Sequence, residues 1–183
     1  MPTLHFVRHG ETDWNREGRI QGVADVPLSA AGREQARELA ATLAARPIGA
    51  IYASDLRRAL ETAEPLAARL DLPILTTPAL RERDFGANEG RLAAEVAAEF
   101  GKEVGAAWLG PDERHPGGES MREVYERVAA FLDALLAESP ADEIALVTSG
   151  GPIRMANAYL AREPVEAVVW AAVENCSVTT VEV

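Results

Sequence analysis

Leu4-His5-Phe6-Val7-Arg8-His9-Gly10-Glu11-Thr12 is the stretch on which the fold of this chain turns. Residues 4–7 read as a β-strand that ends at an Arg-His-Gly turn. In an open α/β sheet, ligands bind beyond the carboxyl ends of the strands. If the rest of the chain alternates strands with helices, Arg8 and His9 stand where chemistry is expected.

The alternation continues downstream. Ser29 reads as the N-cap of a helix reaching about residue 45, with Ala36, Leu39, Ala40 and Leu43 on one face. Residues 50–53 read as a strand. Ser54 then caps a helix carrying Leu56, Ala59, Leu60, Ala63, Leu66 and Leu70, which Pro65 should kink or split. Residues 74–75 suggest a short strand, 79–90 an irregular charged segment and 92–100 a weak helix. Residues 102–118 are rich in glycine and proline and read as a long loop, a kind of segment that often serves function. Ser120-Met121-Arg122-Glu123 is a capping box opening a helix with Val124, Tyr125, Val128, Phe131, Leu132 and Leu135 at helical spacing. Residues 144–147 form a buried-type strand, followed by Ser149-Gly150-Gly151-Pro152 and a helix to about residue 161. Residues 168–173 and 177–183 suggest a closing β pair. The expectation is an α/β fold of three layers, α/β/α, around a central, mostly parallel sheet.

At 183 residues, without internal repeats or a low-complexity linker, the chain reads as one domain, 1–183. Its formal net charge of −11 disfavours nucleic acid and anionic membranes as partners, because a polyanion would be repelled from most of the surface. Of 18 basic residues only Lys102 is a lysine; arginine is the better fork for phosphate or carboxylate. A single cysteine, Cys176, excludes an intrachain disulfide framework and a thiolate metal cluster. No signal peptide or membrane-length apolar run is seen, so a cytoplasmic protein is expected. No cofactor is expected. No His/Asp/Glu cluster has convincing ligand spacing, so no metal is expected either.

Arg8-His9-Gly10 suits phosphoryl chemistry. The arginine neutralises phosphate oxygens, the glycine permits close backbone approach, and a neutral imidazole nitrogen can attack phosphorus. Alone, an Arg-His pair reads first as a surface turn with an incidental histidine. The rest of the chain changes that reading. Arg8-His9-Gly10-Glu11-Thr12 with Trp14-Asn15 and Gly18-Arg19-Ile20-Gln21-Gly22 resembles the opening of the histidine phosphatase superfamily, the group of phosphoglycerate mutase and its phosphatase relatives. Pro27-Leu28-Ser29-Ala30-Ala31-Gly32, Ser54-Asp55-Leu56-Arg57-Arg58-Ala59, Leu80-Arg81-Glu82 with Phe85-Gly86, and Gly117-Gly118-Glu119-Ser120 resemble later blocks of that family in its own order. The resemblance spans residues 5 to about 155 and implies the phosphoglycerate mutase-like fold.

The same resemblance implies roles. His9 would be the nucleophile that accepts the phosphoryl group, with Arg8 and Arg58 clamping its oxygens. Adjacent helical residues point about 100° apart, so of Arg57 and Arg58 only one should face the pocket; the family block chooses Arg58. Glu82 would protonate the leaving oxygen and then activate water. Without the family match, Glu82 reads as a loop glutamate paired with Arg81 or Arg83. Asn15, Thr12, Gln21 and Gly22 are further candidates for contacts to substrate, and turn or capping roles compete with that reading. Glu11 reads equally as an ion-pair partner, His5 as a satisfied core histidine. Trp108 and His115 fall in the lid-like loop of about 101–119, where packing competes with substrate selection.

One block departs from the family. Where it carries Thr-His-Gly-Gly, this chain has Thr148-Ser149-Gly150-Gly151, so Ser149 occupies the place of the second histidine. Two glycines and Pro152 still offer free backbone N–H groups at a helix start, so Ser149 and Gly150 remain anion-binding candidates. Losing a charge-assisted hydrogen bond costs roughly 1.5–3 kcal/mol, or about ten- to a hundredfold in rate. Four accounts stand open: a weak natural enzyme, a divergent phosphate-binding protein, an engineered substitution, or His115 swinging in from the lid. The expectation is a metal-independent phosphomonoesterase of histidine acid phosphatase type, acting through phospho-His9 on a small phosphorylated substrate, as a monomer or homodimer. A phosphoglycerate mutase is the enzymatic alternative and an impaired phosphate-ligand binder the non-enzymatic one. The mutase ranks lower because that branch carries extra segments around its active site.

Overall fold

The computed structural model describes residues 2–101 and 110–183. Five strands form one sheet: β1 (Thr3–Arg8), β2 (Ile48–Ser54), β3 (Ile74–Thr77), β4 (Glu143–Thr148) and β5 (Val178–Glu182). Their order is β3-β2-β4-β1-β5. The first four run parallel, and β5 closes the edge antiparallel to β1. Six α-helices lie among the described residues: α1 (Asp13–Glu17), α2 (Ala30–Leu43), α3 (Arg57–Leu70), α4 (Ala93–Glu99), α5 (Met121–Glu138) and α6 (Gly150–Leu160).

Side chains of a strand alternate between its faces, and both faces of this sheet are covered. Leu4, Phe6, Ile144 and Leu146 pack with Val124, Val128 and Leu132 of α5 and Ile153 of α6. Val7, Ile51, Ala145 and Val147 pack with Ala40 and Leu43 of α2 and Ala59, Ala63 and Leu66 of α3. This is the three-layer α/β/α arrangement expected. His5 is wholly buried in β1 and satisfied, with Nε2 2.7 Å from Glu143 and Nδ1 3.0 Å from Thr180 Oγ1.

The caps follow the sequence at α2 and α5. Ser29 accepts from Gly32 N–H, and Ser120 with Glu123 forms both halves of a capping box. Three expectations are corrected. Ser54 does not cap α3, which begins at Arg57; its hydroxyl accepts from Leu56 N–H in the preceding turn, while Asp25, remote in sequence, meets Arg57 N–H at 2.7 Å. Pro65 does not split α3, which runs unbroken to Leu70 because the apolar faces of Ala63, Leu66 and Ala67 stay buried past it. Residues 168–173 form no strand, so there is no closing β pair. Carbonyls there receive side chains instead: Arg154 donates to Ala171 and Arg8 to Val173.

β1 and β4 are neighbours in register, with Arg8 opposite Thr148. Their carboxyl ends therefore meet, and His9 N–H donates to Thr148 O at 2.8 Å. The loop after His9 crosses the start of α2 so closely that a Cβ on Gly10 would lie 2.6 Å from Gly32 O. Only glycine fits there.

Candidate active site

His9 is 3 % exposed and its Nδ1 lies 2.8 Å from Gly10 O. A carbonyl only accepts, so Nδ1 carries the proton and Nε2 keeps its lone pair. Burial, then the charges of Arg58 and Arg8, hold the imidazole well below its ordinary pKa of 6.5. At neutral pH it is the uncharged, nucleophilic tautomer.

Arg58 is completely buried on α3, held by Ala24 O at 2.8 Å and Gly22 O at 2.6 Å. Its neighbour Arg57 turns outward to Glu61 at 2.7 Å, as the helical offset requires. Arg8 donates through Nη1 to Val173 O. Among the described residues, the buried Nε atoms of Arg8 and Arg58 have no hydrogen-bond partner. Leaving a buried charged donor unmade is expensive, and an anion between the two guanidinium groups would satisfy both.

Glu82 does not pair with its chain neighbours in the way its alternative reading supposed. Arg81 forms a fork with Asp55 at 2.6 and 2.7 Å, and Arg83 donates to the carbonyls of Glu119 and Glu113. The Glu82 carboxylate instead accepts from Arg83 N–H at 2.8 Å and from Gly151 N–H, at the start of α6, at 3.1 Å. Its charge raises the pKa of Arg8, Arg58 and Arg154 alike, against the lowering by burial.

The neutral candidates divide. Thr12 caps α1 with Asn15 in a capping box and donates to Gln21 Oε1 at 3.0 Å. The Asn15 carboxamide oxygen accepts from Thr12 N–H at 3.1 Å and lies equally far from Thr12 Oγ1, whose one proton goes to the shorter contact with Gln21. Gly22 contributes a carbonyl that orients Arg58. Glu11 is no ion-pair partner among the described residues: its carboxylate accepts from the Ser29 hydroxyl at 2.9 Å. Ser149 is 2 % exposed at the N-cap of α6, where its side chain makes no capping bond. Gly150 follows it at the first position of the helix. His115 is buried against the rings of Phe85 and Phe100, with Nδ1 2.8 Å from Asn88 Nδ2. These contacts pack its ring among Phe85, Asn88 and Phe100. Trp108 lies outside the described residues, as do all of residues 102–109 of the expected lid.

The model of the histidine phosphatase superfamily (branch 1) matches residues 4–183. The chain belongs to this superfamily. Among its histidine phosphatase relatives, phosphoglycerate mutase-like protein 4 of Arabidopsis thaliana is 41% identical over 153 residues, covering 81% of this chain and 66% of that protein. A probable phosphoglycerate mutase GpmB of Cronobacter sakazakii is 37% identical over 183 residues, covering 100% of this chain and 85% of its own length. Of the solved structures, a mycobacterial glucosyl-3-phosphoglycerate phosphatase in complex with VO3 superposes with a TM-score of 0.87 at 33% identity, covering 98% of this chain and 92% of that one.

Two residues of this histidine phosphatase site escaped the sequence reading. Asn175 donates to His9 O at 2.9 Å and approaches Asn15 Oδ1 at 3.4 Å, tying the His9 loop to a segment 166 residues away. No local signal marks it. Arg154 is the other, and its place one turn into a helix that opens Ser-Gly-Gly-Pro was a usable signal. Among the described residues no group of His, Cys, Asp and Glu is arranged to hold a metal ion, and no helix is long and apolar enough to cross a membrane.

Proposed function

We propose that this chain is a phosphomonoester hydrolase working through a phosphohistidine on His9. The observation that carries the reading is the uncharged Nε2 of His9 beside two buried guanidinium groups whose Nε donors have no protein partner. Nε2 attacks phosphorus and the bond to the leaving oxygen breaks. Arg8 and Arg58 bind the phosphoryl oxygens on which charge accumulates. Glu82 gives its proton to the leaving oxygen, then takes one from the water that attacks phospho-His9, returning the imidazole and releasing inorganic phosphate. The Gly150 N–H at the start of α6 and the Ser149 hydroxyl supply uncharged donors where the family carries a second histidine.

The same reading takes residues 1–183 as one metal-independent catalytic domain acting in the cytoplasm on a small phosphorylated substrate. It is supported by the family and by the likeness to a phosphatase in complex with VO3. The test is release of phosphate from p-nitrophenyl phosphate, run beside a coupled assay with 3-phosphoglycerate and bisphosphoglycerate primer. Phosphate release that is lost in His9→Ala supports the hydrolase. Interconversion of phosphoglycerates faster than phosphate release would make the chain a mutase. Tight phosphate binding without either reaction would make it a binding protein.

A further inference from the structure

Residues 81–84, which carry Glu82, belong to no helix or strand. Their backbone is held from outside, and Arg127 of α5 reaches it with one guanidinium. Nη1 donates to Ala79 O at 2.7 Å and Nη2 to Glu82 O at 3.0 Å. Nε and Nη2 also fork onto the Glu119 carboxylate, each at 3.1 Å. Glu119 in turn grips the far side of the segment: its Oε2 accepts from Asp84 N–H at 3.0 Å, and its N–H donates to Asp84 O at 2.9 Å. The backbone of Glu82, and the backbone on either side of it, is thus tied to one arginine–carboxylate pair.

Arginine suits this task because its planar fork has five donors, enough to meet a carboxylate and two carbonyls at once. The Glu82 side chain is held separately at its other end, where the carboxylate accepts from Arg83 N–H and Gly151 N–H. The start of α6 therefore holds the head of Glu82 and α5 holds its root. A general acid works only within hydrogen-bond reach of the leaving oxygen, and a misplacement of about 1 Å can cost about a hundredfold. We propose that Arg127, braced by Glu119, is a positioning residue that sets Glu82 where it can pass its proton to the leaving oxygen. This inference rests on the hydrolase reading, and Arg127 acts through the backbone that carries Glu82.

The test compares phenyl phosphate, whose leaving oxygen needs a proton, with 2,4-dinitrophenyl phosphate, whose nitro groups let it depart as a stable anion. The readout is kcat/KM, which covers the steps up to departure of the alcohol and excludes the later attack of water on phospho-His9. Arg127→Met should lower kcat/KM for phenyl phosphate by roughly ten- to a hundredfold more than for 2,4-dinitrophenyl phosphate. Arg127→Lys and Glu119→Gln, which keep part of the bracing, should shift the ratio the same way by smaller factors. Amide hydrogen exchange should quicken at Asp84 in Arg127→Met. If the variants lower both esters by one common factor, or exchange at Asp84 is unchanged, Arg127 does not position Glu82 and the proposal is overturned. If wild type releases phosphate from neither ester while exchange still quickens in Arg127→Met, the hydrolase reading fails and the hold of Arg127 on the segment stands. Should Arg127→Met not fold, Arg127→Lys and Glu119→Gln decide by the same ratio.

Discussion

The backbone N–H of Gly151 donates to Glu82 Oε2 at 3.1 Å, and the space beside it is so tight that a Cβ at position 151 would overlap Glu82 Oε1. The start of α6 thus fixes the carboxylate by both a hydrogen bond and a steric limit. A methyl group there meets the far end of a side chain, which can turn aside without disturbing the core. Gly151→Ala should fold with a Tm close to wild type and lose about ten- to a thousandfold in kcat, since displacing a general acid removes a contribution of about 10²–10⁴. Steady-state kinetics beside a thermal melt check it; unchanged kcat would detach Glu82 from the chemistry.

Arg58 and Arg8 predict how phosphate affects stability. A ligand bound only by the native state at about 100 times its Kd adds about 2.7 kcal/mol, several degrees of Tm in a chain of this size. Inorganic phosphate should raise the wild-type Tm and have little effect on Arg58→Met. The comparison is made within each variant, because the substitution also leaves Gly22 O and Ala24 O without their donor.

His9 carries a pH dependence with a definite sign. Its folded pKa lies well below the ordinary 6.5 because of burial and the charges of Arg58 and Arg8. Above pH 6.5 the imidazole is uncharged in both folded and unfolded chains, so it contributes no pH dependence. Below 6.5 the unfolded chain binds a proton that the folded chain refuses, so stability falls as the pH drops toward the folded value. His9→Asn removes that loss. Its Tm relative to wild type should rise between pH 7.5 and pH 5.5, and a gap that stayed constant would contradict the assignment.

Ser149 makes no capping bond to α6, so replacing it removes no helix cap. Ser149→His would add a donor that can be charged beside the end of β1. An increase of about ten- to a hundredfold in kcat/KM toward p-nitrophenyl phosphate is expected. A decrease would mean that the serine hydroxyl itself is required.

Legibility in the sequence followed the range of the interactions. The strand-to-turn step at Arg8-His9-Gly10 and the caps at Ser29 and Ser120 depend on residues within a few positions of one another, and they were read directly. The start of α3 depends on Asp25 reaching Arg57, whereas local signals alone point to Ser54 as the cap. Apolar residues 168–173 look like a strand, yet the carbonyls of Ala171 and Val173 receive arginines from α6 and β1. Nothing in that run announces such use. Asn175 is hidden for the same reason: its partner His9 lies at the other end of the chain.

The central claim is a covalent intermediate on His9, and rapid quenching tests it most directly. Enzyme mixed with 32P-labelled substrate, stopped in the first turnovers and digested, should yield an acid-labile, base-stable phosphate on the peptide containing His9. Label should appear and decay at rates that account for kcat, and His9→Ala should carry none. Turnover at wild-type rates with no label on His9, or undiminished phosphate release from His9→Ala, would contradict the account.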